Sequence, residues 1–109
     1  MILPSEALLF RYSALTFNSH RIHYDLPYAT GEEGYRGLVV HGPLTATLLL
    51  DLAQRKFGDN ALKHFHFRGI SPAICGEELH IALRHSGDGI ELGAFAGDGR
   101  QVMTATATL

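Results

Sequence analysis

The segment from Pro43 to Phe57 constrains the fold more than any other part of the chain, because its pattern predicts a long helix with little polar surface. Pro43 suits the first turn of a helix, where its missing N–H group is not needed, and Gly58 suits the left-handed residue after the last turn. The polar residues between these ends form one stripe: Thr47, Asp51, Gln54 and Arg55. A helix that is apolar on most sides is surrounded by protein, so we expect this helix to be the core.

The chain beyond this helix has the pattern of a sheet. Four segments are strand-like, and apolar and polar residues alternate in three of them: residues 62–70, 77–86, 90–96 and 100–109. Gly-Asp-Gly sequences at 87–89 and 97–99 predict tight turns. We therefore expect the four strands to form an antiparallel meander. One buried helix with an antiparallel sheet predicts an α+β domain whose sheet wraps around the helix.

The chain before the helix predicts shorter elements. Residues 7–17 are rich in aromatic and apolar side chains and predict a strand. Residues 24–30 predict a short helix, the start of which is limited by Pro27. Three glycines in residues 31–37 predict a loop, and residues 38–40 predict a short buried strand.

The composition indicates one domain that comprises residues 1–109. A formal net charge of −2 provides no basic surface, so we expect no nucleic-acid partner. The longest apolar run is too short to span a membrane, and the first ten residues do not resemble a signal peptide, so we expect no membrane partner. The single cysteine, Cys75, cannot form an internal disulfide, which fits a cytoplasmic location.

A polar loop after residue 17 contains most of the chain's candidate chemistry. One interpretation is a metal site, because His20, His23 and Asp25 are ligand types that zinc accepts. Their spacing does not bring all three side chains together in a regular segment, and solvent-facing or structural histidines are more common. We therefore expect no metal here.

A second interpretation of the loop is catalytic. An imidazole titrates near neutrality, so His23 can take a proton from water at physiological pH. The carboxamide of Asn18 cannot act as a base, but it can donate and accept hydrogen bonds at once. These two residues could hold one water molecule between them. The alternative is structural: Asn18 ends the preceding strand, and His23 satisfies a local backbone group.

The start of the long helix is a third candidate, at His41-Gly42-Pro43. The N-terminus of a helix presents unpaired N–H groups and a partial positive charge, which would stabilise a carbonyl oxygen that becomes negative. Gly42 has no side chain and allows a ligand to approach closely. The alternative is a plain helix start.

The two motifs at this spacing resemble those of a known family. "NSHRIHYD" at residues 18–25 and "GLVVHGPLTATLLLDL" at residues 37–52 are similar to the MaoC-like hydratase/dehydratase branch of the hotdog superfamily. The resemblance is strongest to the group that contains mesaconyl-C4-CoA hydratases and mitochondrial 3-hydroxyacyl-thioester dehydratases. It implies a hotdog fold, in which a rolled antiparallel sheet surrounds one long helix. The implied reaction is reversible hydration of an α,β-unsaturated acyl-CoA, without a cofactor.

The resemblance also implies residue roles. His23 corresponds to the family's catalytic histidine, and Gly42 to the glycine whose amide faces the thioester carbonyl. Asn18 stands where most (R)-specific enoyl-CoA hydratases have an aspartate, although the mesaconyl-like branch resembles this chain in having asparagine. His23 would then carry the proton transfer, and Asn18 would orient the water.

Three further residues are candidates for substrate binding. Arg21 and Arg36 could meet a CoA phosphate or a substrate carboxylate, since a guanidinium matches both; the alternative is solvated loop arginines. His41 could line the site or pack beneath it.

Relatives in the mesaconyl branch contain two hotdog units, so the resemblance implies that this single unit pairs with a second one. We expect a homodimer that binds an acyl-CoA thioester, or else a heteromer with another hotdog subunit. The alternative function is a non-catalytic acyl-CoA-binding subunit of a larger assembly. A thioesterase is less favoured, because Asp51 lies about two turns into the helix.

Overall fold

The computed structural model describes residues 1–58, 61–87 and 89–109. Within these ranges the order of elements is α1 (Glu6–Leu15), a 3₁₀ turn (Arg21–His23), a π-helical turn (Tyr28–Glu32), α2 (Gly42–Phe57), β1 (His64–Gly69), β2 (Leu79–Ser86), β3 (Gly89–Ala96) and β4 (Gln101–Thr108). The predicted α+β class is confirmed.

Helix α2 lies where the sequence predicted it. His41 precedes its first turn in an extended conformation, and Gly58 follows its last turn with a φ of 97°. One face is buried by Leu44, Thr45, Ala46, Leu49 and Ala53. The opposite face is open within this chain, and even Leu50 is 37% exposed. The helix is thus covered on one side rather than on most sides, because the sheet packs against a single face.

The four strands form one antiparallel sheet in the order β1-β4-β3-β2. Strands β2, β3 and β4 are joined as the predicted meander. The prediction of a four-stranded meander was wrong for β1, which pairs with β4 at the far edge of the sheet. Alternation decides which face of a strand is buried but not which strand is its neighbour, so β1 could not be placed from its pattern. The predicted turn at 97–99 is present, with the Ala96 N–H group donating to the Arg100 carbonyl at 2.8 Å.

The predicted turn at 87–89 includes Asp88, which lies outside the described residues.

The face of the sheet toward α2 is made of small and medium-sized apolar side chains. Cross-strand partners share a face, so Leu92 of β3 lies between Leu83 of β2 and Ala105 of β4. The buried members of this face are Leu79, Ile90, Leu92, Ala94, Ala96, Met103, Ala105 and Ala107. The small alanine side chains leave room for the helix.

The strand predicted over residues 7–17 was wrong, because this segment forms α1. Ser5 begins the helix, since its hydroxyl accepts a hydrogen bond from the Leu8 N–H group at 3.1 Å. Leu9 and Ser13 are buried four residues apart, which is the spacing of one helix face. Aromatic and apolar content alone had suggested a strand, but no strict alternation supports one, and Phe10 is exposed.

The segments between α1 and α2 agree with their predictions in part. The predicted short helix is present as the π-helical turn, which extends to Glu32. Residues 38–40 are buried and extended as expected, but they form only an isolated bridge between Val39 and Ile74 instead of a strand. No helix in the described part of the chain is long and apolar enough to cross a membrane.

Candidate active site

The buried segment before α2 holds the candidate site together. The Val39 N–H group donates to the Ile22 carbonyl at 2.9 Å, and the Val40 N–H group donates to the Ala73 carbonyl at 2.8 Å. The segment is therefore tied on one side to the polar loop and on the other to the connection between β1 and β2. This arrangement brings the loop against the N-terminus of α2.

His23 is buried at this junction, with only 8% of its surface exposed. Its Nδ1 atom lies 2.7 Å from the Val39 carbonyl oxygen. A carbonyl can only accept, so Nδ1 carries the hydrogen and donates it to Val39. Burial, as the largest effect, lowers the pKa of His23 below its usual value of 6.5. The ring is therefore neutral at physiological pH. Its Nε2 atom has no hydrogen-bond partner in the part of the chain that the structure describes, so its lone pair can take a proton.

His41 lies beneath His23 and is almost completely buried, at 1% exposure. The two rings are stacked with centroids 3.8 Å apart and planes 17° apart. The Tyr12 ring meets His41 edge-on at 4.7 Å, and Ser13 Oγ lies 2.7 Å from His41 Nε2. Burial first, and the neighbouring His23 second, lower the pKa of His41 to about 4. The ring of His41 thus packs against that of His23, and a role of His41 in substrate binding stays a prediction.

Gly42 begins α2, directly after His41. It borders a cavity of about 310 Å³ that is also lined by Thr45, Ile70 and Met103. A Cβ atom added to Gly42 would meet Met103 Cε at 4.0 Å, which is ordinary contact. The packing of the chain therefore does not itself require a glycine here. The first-turn N–H groups of a helix have no partner within the helix, so the Gly42 amide suits a ligand oxygen.

Asn18 follows α1 and is partly buried. Its N–H group donates to the Ser13 carbonyl at 2.8 Å, and its Oδ1 atom accepts from the His20 N–H group at 3.0 Å. Its Nδ2 group has no hydrogen-bond partner among the described residues, so it can donate to a ligand. Asn18 follows a helix, and not the strand that the sequence had suggested.

A groove of about 370 Å³ runs beside Asn18. Its lining is mostly apolar and consists of Phe10, Ser13, Ala14, Phe17, Asn18, Ser19 and Tyr24. Asn18 and Gly42 thus border different cavities. The stacked rings of His23 and His41 connect them, because Ser13 of the groove contacts His41, the neighbour of Gly42.

The two candidate arginines are paired with carboxylates. Arg21 donates to Asp25 Oδ2 from Nε at 3.1 Å and from Nη2 at 3.0 Å, and its guanidinium lies 4.1 Å from the centre of the Tyr28 ring. Arg36 forms a bidentate ion pair with Glu77, with both N–O distances at 2.6 Å. Both arginines are exposed, so their roles in substrate binding stay predictions.

Two of the three side chains considered for zinc have other partners in the structure. His23 Nδ1 contacts Val39, and Asp25 contacts Arg21. Within the described ranges, no three His, Cys, Asp or Glu side chains form a group that could hold a metal ion.

Ser13 is the polar residue at the site that the sequence analysis missed. The strand predicted for residues 7–17 gave no reason to connect Ser13 with His41, 28 residues later. The signal that could have found it is the serine at position 5 followed by apolar Leu8, Leu9 and Tyr12, which is a helix start with a helical period. Ser13 lies on that same face.

The chain is similar to known proteins along nearly its whole length. The family model described as "Hydroxyacyl-thioester dehydratase type 2" matches residues 1–75. Mesaconyl-C(4)-CoA hydratase of Chloroflexus aurantiacus is 49% identical over 108 residues, which cover 99% of this chain and 38% of that protein. The mitochondrial hydroxyacyl-thioester dehydratase type 2 of Schizosaccharomyces pombe is 39% identical over 87 residues, which cover 78% of this chain and 29% of that protein. The chain therefore spans less than half the length of these relatives.

A solved structure supports the fold. HtdX of Mycobacterium tuberculosis superposes with a TM-score of 0.85 and 23% identity, over 99% of this chain and 46% of that chain. Similarity at this level of identity concerns the fold alone. It confirms the hotdog architecture that the motifs had implied.

Proposed function

The chain belongs to the hydroxyacyl-thioester dehydratase type 2 family, and on this basis we propose that it is a hydro-lyase acting on acyl-CoA thioesters. The proposed reaction is the reversible addition of water to an α,β-unsaturated acyl-CoA, or the dehydration of the corresponding 3-hydroxyacyl thioester. The names of both curated relatives support this reaction class. The proposed reaction needs no cofactor besides the thioester carrier.

In the hydration direction, a water molecule held by the Asn18 carboxamide gives a proton to His23 Nε2 while its oxygen bonds to the β carbon. The electron pair of the carbon–carbon double bond moves toward Cα and onto the thioester oxygen. The Gly42 N–H group and the positive end of α2 stabilise that negative charge. Cα then takes up the proton, which the protonated His23 returns. Dehydration follows the same steps in reverse.

The observation that carries this proposal is the hydrogen bond from His23 Nδ1 to the Val39 carbonyl at 2.7 Å. It fixes the tautomer whose Nε2 atom accepts a proton, and burial keeps the ring neutral by lowering its pKa. His41 also has a nitrogen without a hydrogen-bond partner among the described residues, but that Nδ1 atom is buried, and the pKa of His41 is lowered to about 4. His23 is therefore the better base. Asn18 has no basic group, so His23 carries both proton transfers.

The first test compares His23→Ala with a neighbouring histidine. A positioned general base contributes about a hundredfold or more, so His23→Ala should lower kcat at least about a hundredfold while the protein still folds. The control is His20→Ala, since His20 is exposed and its ring lies 5.8 Å from that of His23. Turnover of crotonyl-CoA is followed by the loss of the conjugated absorbance. Equal rates for the two variants would contradict the mechanism.

The acyl group is best identified by a screen of crotonyl-, mesaconyl- and longer enoyl-CoA. Because one relative is named a mesaconyl-C(4)-CoA hydratase, we propose a mesaconyl-like substrate first. Arg36 uses its Nε and Nη2 groups on Glu77, so its Nη1 group would bind the carboxylate or a CoA phosphate. Arg21 likewise uses Nε and Nη2 on Asp25 and would bind through Nη1.

We further propose that the active form contains a second hotdog unit. Strand β1 is an edge of the sheet, and large apolar side chains are exposed on it and directly after it, Phe67 by 48% and Ile70 by 46%. A homodimer is the simplest arrangement, and a separately encoded hotdog subunit is the alternative. Light scattering after gel filtration should give at least a dimer at micromolar concentration, and a monomer would contradict the homodimer. The cytoplasmic location stays a prediction, because one relative is described as mitochondrial.

The second candidate function is a non-catalytic acyl-CoA-binding subunit of a larger hotdog assembly. One observation favours it: the asparagine at position 18 supplies no carboxylate. This function predicts binding of the thioester with no turnover of any substrate in the screen. Calorimetry with crotonyl-CoA together with the absorbance assay distinguishes the two functions.

A further inference from the structure

We propose that the Ser13 hydroxyl is a further polar contact for the reacting oxygen, which is the water that adds or the 3-hydroxyl group that leaves. In this arrangement His41 is a positioning residue that fixes the direction of the Ser13 proton. The inference rests on the proposed hydro-lyase function, and it adds a residue to which no role has yet been given.

The direction of the hydrogen bond between Ser13 and His41 follows from the other ring nitrogen. His41 Nδ1 is buried and has no hydrogen-bond partner in the described part of the chain. A neutral imidazole has one N–H group, and a buried N–H group without an acceptor is costlier than a buried lone pair. The hydrogen is therefore on Nε2, which donates to Ser13 Oγ at 2.7 Å.

This assignment leaves the proton of Ser13 free. Among the described residues, His41 Nε2 is the only hydrogen-bond partner of Ser13 Oγ. Ser13 borders the groove beside Asn18, whose lining is otherwise mostly aromatic and apolar. The Ser13 hydroxyl can therefore donate into the groove, next to the free amide of Asn18. Two donors on one side of an apolar groove suit a single oxygen atom.

The stacked rings place this hydroxyl next to the proposed base. The ring of His41 is nearly parallel to that of His23, with centroids 3.8 Å apart. A hydroxyl that is hydrogen-bonded to the edge of the lower ring lies beside the upper ring. The titratable groups that face His41 are His23 from the loop and Tyr12 from α1. An imidazole carries no negative charge in its neutral or its protonated form, so His23 does not draw a second proton onto His41.

The test compares Ser13→Ala with Ser5→Ala in the 109-residue chain. Ser5 is a matched control, because its hydroxyl stabilises the start of the same helix and lies outside the groove. We expect Ser13→Ala to lower kcat about tenfold or more with KM changed less than about threefold, and Ser5→Ala to keep the wild-type values. If the wild type is active, equal kcat values for the two variants would overturn the inference. An inactive wild type would instead refute the proposed function itself.

A second measurement does not depend on turnover or on the folding of a variant. Nitrogen-15 NMR of the histidine rings in the wild type at neutral pH reports which nitrogen carries the hydrogen. We expect the Nε2–H form for His41 and the Nδ1–H form for His23. An Nδ1–H form or a doubly protonated ring for His41 would overturn the inference, because the Ser13 proton would then not be directed into the groove.

Discussion

Replacement of His41 by glutamine is expected to make the free energy of unfolding less sensitive to acid. In the folded chain, burial lowers the pKa of His41 to about 4, whereas an exposed histidine has a pKa of about 6.5. The unfolded chain therefore binds more protons than the folded chain below that upper value. Stability that is present above about pH 6.5 is lost as the pH falls toward about 4.

The size of this loss follows from the shift. One pH unit corresponds to about 1.36 kcal/mol when the two states differ by one proton. They differ by nearly one proton only over about 1.5 units, from about pH 6.5 to about pH 5, so His41 alone removes about 2 kcal/mol between about pH 7 and about pH 5. Glutamine takes up no proton and escapes this loss. The pKa values of Asp25, Glu77 and Glu91 are lowered chiefly by hydrogen bonds, so these carboxylates destabilise the fold only at lower pH. His23 acts in the same direction as His41 but is present in both proteins.

The assay is urea unfolding of the wild type and His41→Gln at several pH values between about 7 and about 5. The wild type should lose about 2 kcal/mol more than the variant over this range. His66→Gln, which removes an exposed imidazole, is the control and should follow the wild type. The reasoning would be refuted if the curves of His41→Gln and the wild type ran parallel, since His41 would then take up protons equally in both states.

Two further predictions concern activity. Burial lowers the pKa of His23 below 6.5, and the neutral ring is the base. The acid limb of kcat/KM against pH should therefore have its midpoint below about 6.5. A midpoint above that value would contradict the assignment of His23 as the base. Gly42→Ala should fold normally, because the added methyl group meets only Met103 at 4.0 Å, and thermal unfolding tests this. The variant should lower kcat about tenfold or more, because the methyl group keeps the thioester oxygen from the amide. An unchanged kcat in the absorbance assay would contradict the role of the amide.

The parts of the fold that the sequence predicted correctly are those in which hydrophobic periodicity is strong. Helix α2 and the inward faces of the strands follow directly from which residues must leave water. The position of β1 next to β4 depends on contacts distant in sequence, and local periodicity does not contain that information. Helix α1 was missed because Phe10 and Leu15 are apolar but exposed, so the apolar residues of this segment do not mark only its buried face.

The candidate site was predictable only in part for the same reason. His23, His41 and Gly42 lie in two short motifs whose residue types point to chemistry, and the structure brings them together. The stacking of the two rings and the bond from Ser13 depend on how α1 packs. A misassigned α1 therefore removed Ser13 from consideration. The tautomer of His23 likewise depends on the Val39 carbonyl, and spacing alone cannot reveal a backbone acceptor.

Three groups on which the proposed chemistry depends are attached to one stretch of four residues. The Val39 carbonyl holds the His23 ring, His41 supports it from below, and the Gly42 amide follows at the next peptide bond. Successive Cα atoms are about 3.8 Å apart, a separation that covalent bonds set and that thermal motion hardly alters. A movement of this stretch therefore moves the hydrogen-bonded His23 ring and the Gly42 amide together.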